Sequence, residues 1–233
     1  MSFVPDKYDR EARILPAILA SLPFFILYFF FLNIYIGDFL RLIFRVQFIG
    51  DITIGVAFLF LLVLVGRSIS KDIFESVWFK SDETRMPSAD FLLHTDKEYS
   101  STFKGQIYQK IKNDFQIEIL SAEQEQQDEE GARKVIAESV ALIRHRLKDG
   151  RLLLKRNIEY GFFRNFIGCS VVAEVISLIN VAVFSVLAPN TTALILSIIM
   201  AVFYALPIAL SKKLMHGHGK RYARTLFQEY MGG

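Results

Sequence analysis

The sequence predicts an all-α integral membrane protein with four transmembrane helices and a mainly helical cytoplasmic insertion between the second and the third. Three observations carry that expectation. Four apolar segments, residues 14–36, about 52–66, 166–188 and 192–210, stand two and two around a charged middle. A bilayer core takes roughly 20 mostly apolar residues per helix, and a soluble domain of this size does not leave such runs uninterrupted. Hydrophobic residues make up 52% of the chain, 22 of them Phe, yet 22% of residues are charged and gather outside the four runs. Lys and Arg flank the spans asymmetrically, which sets orientation, because cytoplasmic flanks carry the excess.

The segment 1–13 carries Lys7, Arg10 and Arg13 and is placed in the cytoplasm. The hairpin 14–66 follows. Its first span is too long for a removed signal peptide and lacks a small-x-small cleavage pattern, so it is retained. Pro16 and Pro23 can kink it, as Pro207 can kink the fourth span. Between the first two spans, Arg41 and Arg45 stand four apart on a greasy stretch behind Asp38. That pattern suits a short helix in the outer interface or, equally, an extension of the flanking spans with snorkelling arginines. The second span has a strictly apolar core of 15 residues, Ile52 to Gly66, about 22 Å of helix. It must borrow from Phe48–Asp51 or Ser68–Ser70.

Residues 67–165 form the cytoplasmic helical domain and its stems. Ile69, Ile73 and Val77, beside Trp78, recur at i, i+4, i+8 and predict that the second span continues as an amphipathic stem ended by Met86-Pro87. Ser100 or Ser101 can cap a helix with Phe103, Ile107, Ile111 and Phe115 on one face, and the alternating Phe115–Ile119 suits a short strand. A helix from about Ala122 to Lys148 is signalled by the capping box Ser121/Gln124, by acids at its start and bases at its end, and by Asp149-Gly150 closing it. Its stripe Ala132, Ile136, Ser139/Val140, Ile143, Leu147 needs a partner, for which Leu152–Leu154 is nearest. Residues 81–150 hold 10 Lys/Arg against 14 Asp/Glu, whereas 151–165 hold four basic residues, Arg151, Lys155, Arg156 and Arg164, against Glu159. This basic collar meets lipid headgroups or frames a pocket for a small anionic ligand.

The hairpin 166–210 holds the candidate site. Glu174 is an ionisable group within a span, by default a functional hypothesis. Ser170, Glu174, Ser177 and Ser185 share one face, with Asn180 at its border. The stripe lines a pore or proton pathway, or it is a buried hydrogen-bond cluster that keeps Glu174 protonated. Ala193, Ser197, Ala201, Ala205 and Ala209 recur every four residues on the fourth span, as do Cys169, Ala173, Ser177 and Ser185, with Val181 in the gap, on the third. Small-xxx-small faces let helices approach closely and predict tight packing or a homo-oligomer. The segment 211–233 reads as a cytoplasmic basic tail, and both termini belong inside, at an inner or plasma membrane.

Several chemistries find no support. The net charge of +3 does not suggest nucleic-acid binding, and the single cysteine, Cys169, offers packing or acylation rather than a disulfide. His216-Gly217-His218 lacks the companions of a metal motif, and no Walker loop, GxGxxG, HExxH or GxSxG occurs, so no metal, no cofactor and no enzymatic activity are expected. The expected function is a channel-like or signalling effector, oligomeric and gated by its cytoplasmic domain. The alternative is a lipid-embedded anchor or scaffold that recruits a soluble cytoplasmic protein, in a bacterial stress or antiphage defence setting.

Overall fold

A computed structural model of the protein describes residues 6–44, 47–80, 83–148 and 150–232. Four helices are long and apolar enough to cross a membrane: α1, Asp9–Leu40; α2, Phe48–Phe79; then Arg151–Leu187 and Thr191–Ala209. Between them come α3, Pro87–Asp90; α4, Ser101–Phe115; α5, Ala122–Gln127; and α6, Glu129–Arg146. The two later spans are therefore α7 and α8, and α9, Ser211–Gly232, ends the chain. No strand occurs among the described residues. The chain divides into two compact units, one of residues up to Phe74 with Gly161–Leu214, the other of Glu75–Tyr160 with Met215 onward.

The first unit contains the apolar parts of the four long helices. Only a third or less of each apolar window is buried, and Phe29, Phe60, Leu178 and Val202 point outward. Outward apolar side chains on helices whose backbone groups bond internally are what a lipid environment permits. Its core joins Ala17 and Ala20 of α1, Leu62 of α2, Cys169 and Ala173 of α7 and Tyr204 of α8. Helix runs unbroken through 52–66 and continues over both 48–51 and 68–70. Helical turns also continue from α1 to Phe44, so the backbone takes the extension alternative for the 39–44 stretch. Arg45 lies outside the described residues.

Helices α2 and α7 meet where they have almost no side chains. A Cβ on Gly168 would lie 2.0 Å from the Gly66 carbonyl oxygen and 2.3 Å from Ser70 Oγ, and one on Gly66 would lie 2.3 Å from Cys169 Sγ. Ser70 Oγ shares its proton between the carbonyls of Gly66 (2.6 Å) and Arg164 (2.7 Å). The contact face of α2 is thus Leu62, Gly66 and Ser70, and the expected stripe is displaced: Ile73 and Val77 are exposed. The stem also stops earlier than Met86-Pro87. Phe79 ends the helix because Lys80 turns into the left-handed region at φ 55°, while Pro87 opens α3 at a position where its missing N–H costs nothing.

The second unit has its own core. Phe91, Leu92 and Leu93 follow α3 and pack with Ile107 and Ile111 of α4, Ile136, Val140 and Ile143 of α6, and Leu153. Ala223, Leu226, Phe227 and Tyr230 of α9 complete it, so 211–232 is an integral helix rather than a tail. Ser100 caps α4 by accepting the Phe103 N–H, and the Ser121/Gln124 capping box starts α5 as expected. Three local expectations are corrected. Gln116, left-handed at φ 59°, caps α4 and no strand follows. The expected 122–148 helix breaks at Asp128, whose Oδ1 accepts the Gly131 N–H at 2.8 Å and starts α6 afresh. The stripe of α6 lies in one core with Phe91–Leu93, α4 and α9, and only Leu153 of the Leu152–Leu154 run is buried there. Asp149, expected to close that helix, lies outside the described residues.

Candidate functional site

Within the first unit, polar side chains converge on the prolines of α1. Proline has no N–H, so the carbonyl four residues before it loses its helical donor. For Pro16 that carbonyl belongs to Ala12, and Asn165 Nδ2 of α7 donates to it at 2.6 Å. For Pro23 it belongs to Leu19, and the Tyr204 hydroxyl of α8 donates to it at 2.5 Å. Asn180 Nδ2 donates to the Pro23 carbonyl itself at 2.8 Å. Asn165, Asn180 and Tyr204 are all buried. Each proline-freed carbonyl of α1 is therefore served by a side chain from a later helix. At the other end of the hairpin, the Tyr28 hydroxyl donates to Asp51 Oδ1 at 2.5 Å.

The expected polar stripe divides. Ser170 and Ser177 are fully buried and donate to their own helix, to the carbonyls of Phe166 (2.7 Å) and Ala173 (2.8 Å). Ser185, exposed, donates to the Ala182 carbonyl. Glu174 sits half-buried at the border of this face, its Oε2 shielded from solvent and without a hydrogen-bond partner among the described residues. Cys169 is buried, its thiol directed at the Leu62 carbonyl 3.6 Å away.

On α8, Ala193 and Ser197 are buried but Ala201 only partly, and Ala205 and Ala209 are exposed. Tyr204 and Pro207 take over the buried face. A four-residue repeat advances about 40° per step on a helix of 3.6 residues per turn, so the small stripe winds off the contact face. Of the basic collar, Arg151 and Lys155 are exposed and Arg156 pairs with Glu159 at 2.7 Å, all in the second unit; Arg164 belongs to the first.

The second unit carries a denser polar arrangement around the His94–Tyr99 loop. Glu125, almost wholly buried, accepts the backbone N–H groups of His94 (2.8 Å) and Thr95 (3.1 Å). Lys104, also buried, donates to the carbonyls of Leu93 and, at 2.6 Å, Asp96. Burial pulls its ammonium below the usual lysine range, while the Asp96 and Glu125 carboxylates oppose that shift. The Tyr108 hydroxyl donates to the Leu92 carbonyl at 2.5 Å. Glu98 turns to α9, where Arg224 and Lys220 hold its carboxyl below the ordinary range.

A cavity of about 460 Å³ opens beside this loop, lined by His94, Asp96, Lys97, Tyr99, Ser101, Lys104, Gly105 and Tyr108. A second, of about 350 Å³, is lined by residues including Asp90, Arg133, His216 and Lys220. The cations of the second are already committed: Arg133 to Asp90 and Glu129, Lys220 to Glu98. His216 lies against the Phe79 ring, 4.8 Å between centroids, and no group of three His, Cys, Asp or Glu able to hold a metal occurs among the described residues.

Residue spacing alone missed Asn165, Tyr204, Gly66, Ser70 and Gly168. The prolines were a signal that donors were needed, but their partners lie more than 150 residues away. The chain matches no known family model, no characterised protein and no solved structure.

Proposed function

We propose that this chain is an oligomeric membrane effector, channel-like or signalling, whose water-exposed helical unit controls its four spans. The observation that carries the reading is continuity: α2, α7 and α9 each hold residues of both compact units within one unbroken helix. A separately cored unit interleaved with the spans in this way is suited to turning a binding event into helix movement. Basic flanks support a cytoplasmic location for that unit and both termini. The exposed Ala205 and Ala209 on α8 offer a close-packing face to lipid or to a second copy.

Glu174 is the group most suited to a conduction role. A carboxyl at mid-span costs a few kcal/mol, and its Oε2 is shielded from solvent without a hydrogen-bond partner among the described residues. Reconstituted vesicles test this. Glu174→Gln keeps the shape and removes the titratable charge, so flux or its pH dependence changes while the oligomer persists. Conducting wild-type protein with an indistinguishable Glu174→Gln variant removes the conduction role from this residue.

A second reading, an anchor or scaffold for a soluble partner, is favoured by the exposed acids Glu123, Glu129 and Glu130 at the starts of α5 and α6. Wild-type protein that passes no ions under varied voltage and pH, while its acidic helices capture a basic partner, selects it.

A further inference from the structure

We propose that the 460 Å³ cavity of the second unit is a binding site for a small anionic, ring-bearing molecule of the nucleoside monophosphate type. The assignment rests on the reading of this unit as the sensing part of the molecule. The volume lies within the range of small-molecule sites, about 300–1,000 Å³.

Charge and rings in the lining favour such a ligand. Lys97 is exposed at the cavity. Lys104 spends two of its three N–H groups on the loop carbonyls of Leu93 and Asp96, which leaves one for an anion. The opposing carboxylate in the lining, Asp96, already accepts the Glu98 N–H at 2.7 Å. Glu125, behind the loop, is spent on two backbone N–H groups. Tyr108 stands edge-on to the His94 imidazole, 5.3 Å between centroids, and Tyr99 is braced edge-on by Phe91 and Phe103.

Gly105 adds room to the cavity. Glycine inside a helix costs about 1 kcal/mol relative to alanine. At Gly66 and Gly168 close helix contact explains the glycine, because a Cβ would collide. At Gly105, exposed in the second turn of α4, a Cβ would meet nothing within 4 Å, as at Gly217 on α9, but Gly105 lies in the cavity lining. No packing is gained there; what the missing side chain leaves is open volume in the cavity wall.

The test is calorimetric titration of the full-length protein in nanodiscs with AMP, GMP, CMP and UMP, and with inorganic phosphate and free nucleosides as the two half-molecules. At least one monophosphate binds, at least tenfold tighter than phosphate or its own nucleoside. Gly105→Phe fills the cavity and weakens that binding at least tenfold; Lys97→Glu, at an exposed position that folding does not need, weakens it at least fivefold. No binding of any monophosphate overturns the proposal, as does binding no tighter than phosphate alone, or binding unchanged in Lys97→Glu. If Gly105→Phe fails to fold, the Lys97→Glu result decides. Binding without ion flux would sink the channel reading and leave this site standing, whereas flux without binding would sink this site alone.

Discussion

Single donors placed against proline-freed carbonyls govern the first span at the residue scale. Tyr204 serves Leu19 only because Pro23 cannot, so the two residues are energetically coupled. Tyr204→Phe keeps the ring and removes the donor, and costs roughly 1 kcal/mol in a membrane setting. In a Pro23→Ala background the helix regains its own N–H for the Leu19 carbonyl, and the same Tyr204→Phe change becomes nearly neutral. Unfolding in mixed micelles measures the cycle, and an equal Tyr204→Phe cost in both backgrounds refutes the coupling. A second residue, His218 on α9, sets a pH response. Burial foremost, then the Arg221 cation, lowers its folded pKa beneath the ordinary 6.5, with Glu159 opposing. Between the folded value and 6.5 the unfolded chain binds more protons, so stability rises with pH through that window and is complete above it. Thermal melts should therefore fall as pH drops below 6.5, and less so in His218→Gln; parallel curves for the two proteins would assign the pH dependence elsewhere.

At the scale of elements, the crossing of α2 and α7 is set by absent side chains. Gly168→Ala puts a methyl where the Gly66 carbonyl and Ser70 hydroxyl stand, and overpacking of this kind costs about 1–3 kcal/mol. Gly217→Ala, on α9 with nothing within 4 Å, should instead stabilise by up to about 1 kcal/mol through helix propensity. Melting both variants checks the contrast, and equal effects would mean that the crossing is not sterically set. These elements also divide what the sequence disclosed from what it did not. The four long apolar helices and the Ser100 and Ser121/Gln124 caps were legible because run length and capping are local properties. The Ile69/Ile73/Val77 stripe misled because a four-residue step drifts around a 3.6-residue helix, and the same drift carries the Ala193–Ala209 stripe off the face packed within the chain. The structural part played by α9 was signalled by Ala223, Leu226, Phe227 and Tyr230 at i, i+3, i+4, i+7, a core face masked by the bases between them. Of the expected polar stripe, Ser170, Ser177 and Asn180 fell together on the buried face of α7, but the Pro23 carbonyl that Asn180 serves, and the cavity beside Gly105, depend on tertiary contacts that spacing does not encode.

For the whole molecule, the central claim is that the state of the second unit controls the spans with which it shares α2, α7 and α9. Phe227 gives the most direct access, since its ring is fully buried in the core of the second unit, and its loss there costs about 3–5 kcal/mol. The deciding measurement is ion flux through vesicles holding full-length protein, wild type against Phe227→Ala, at a temperature where both remain folded. The account predicts flux from the wild type and an altered rate or opening threshold in the variant. Identical flux from the two proteins, or none from either, would contradict it.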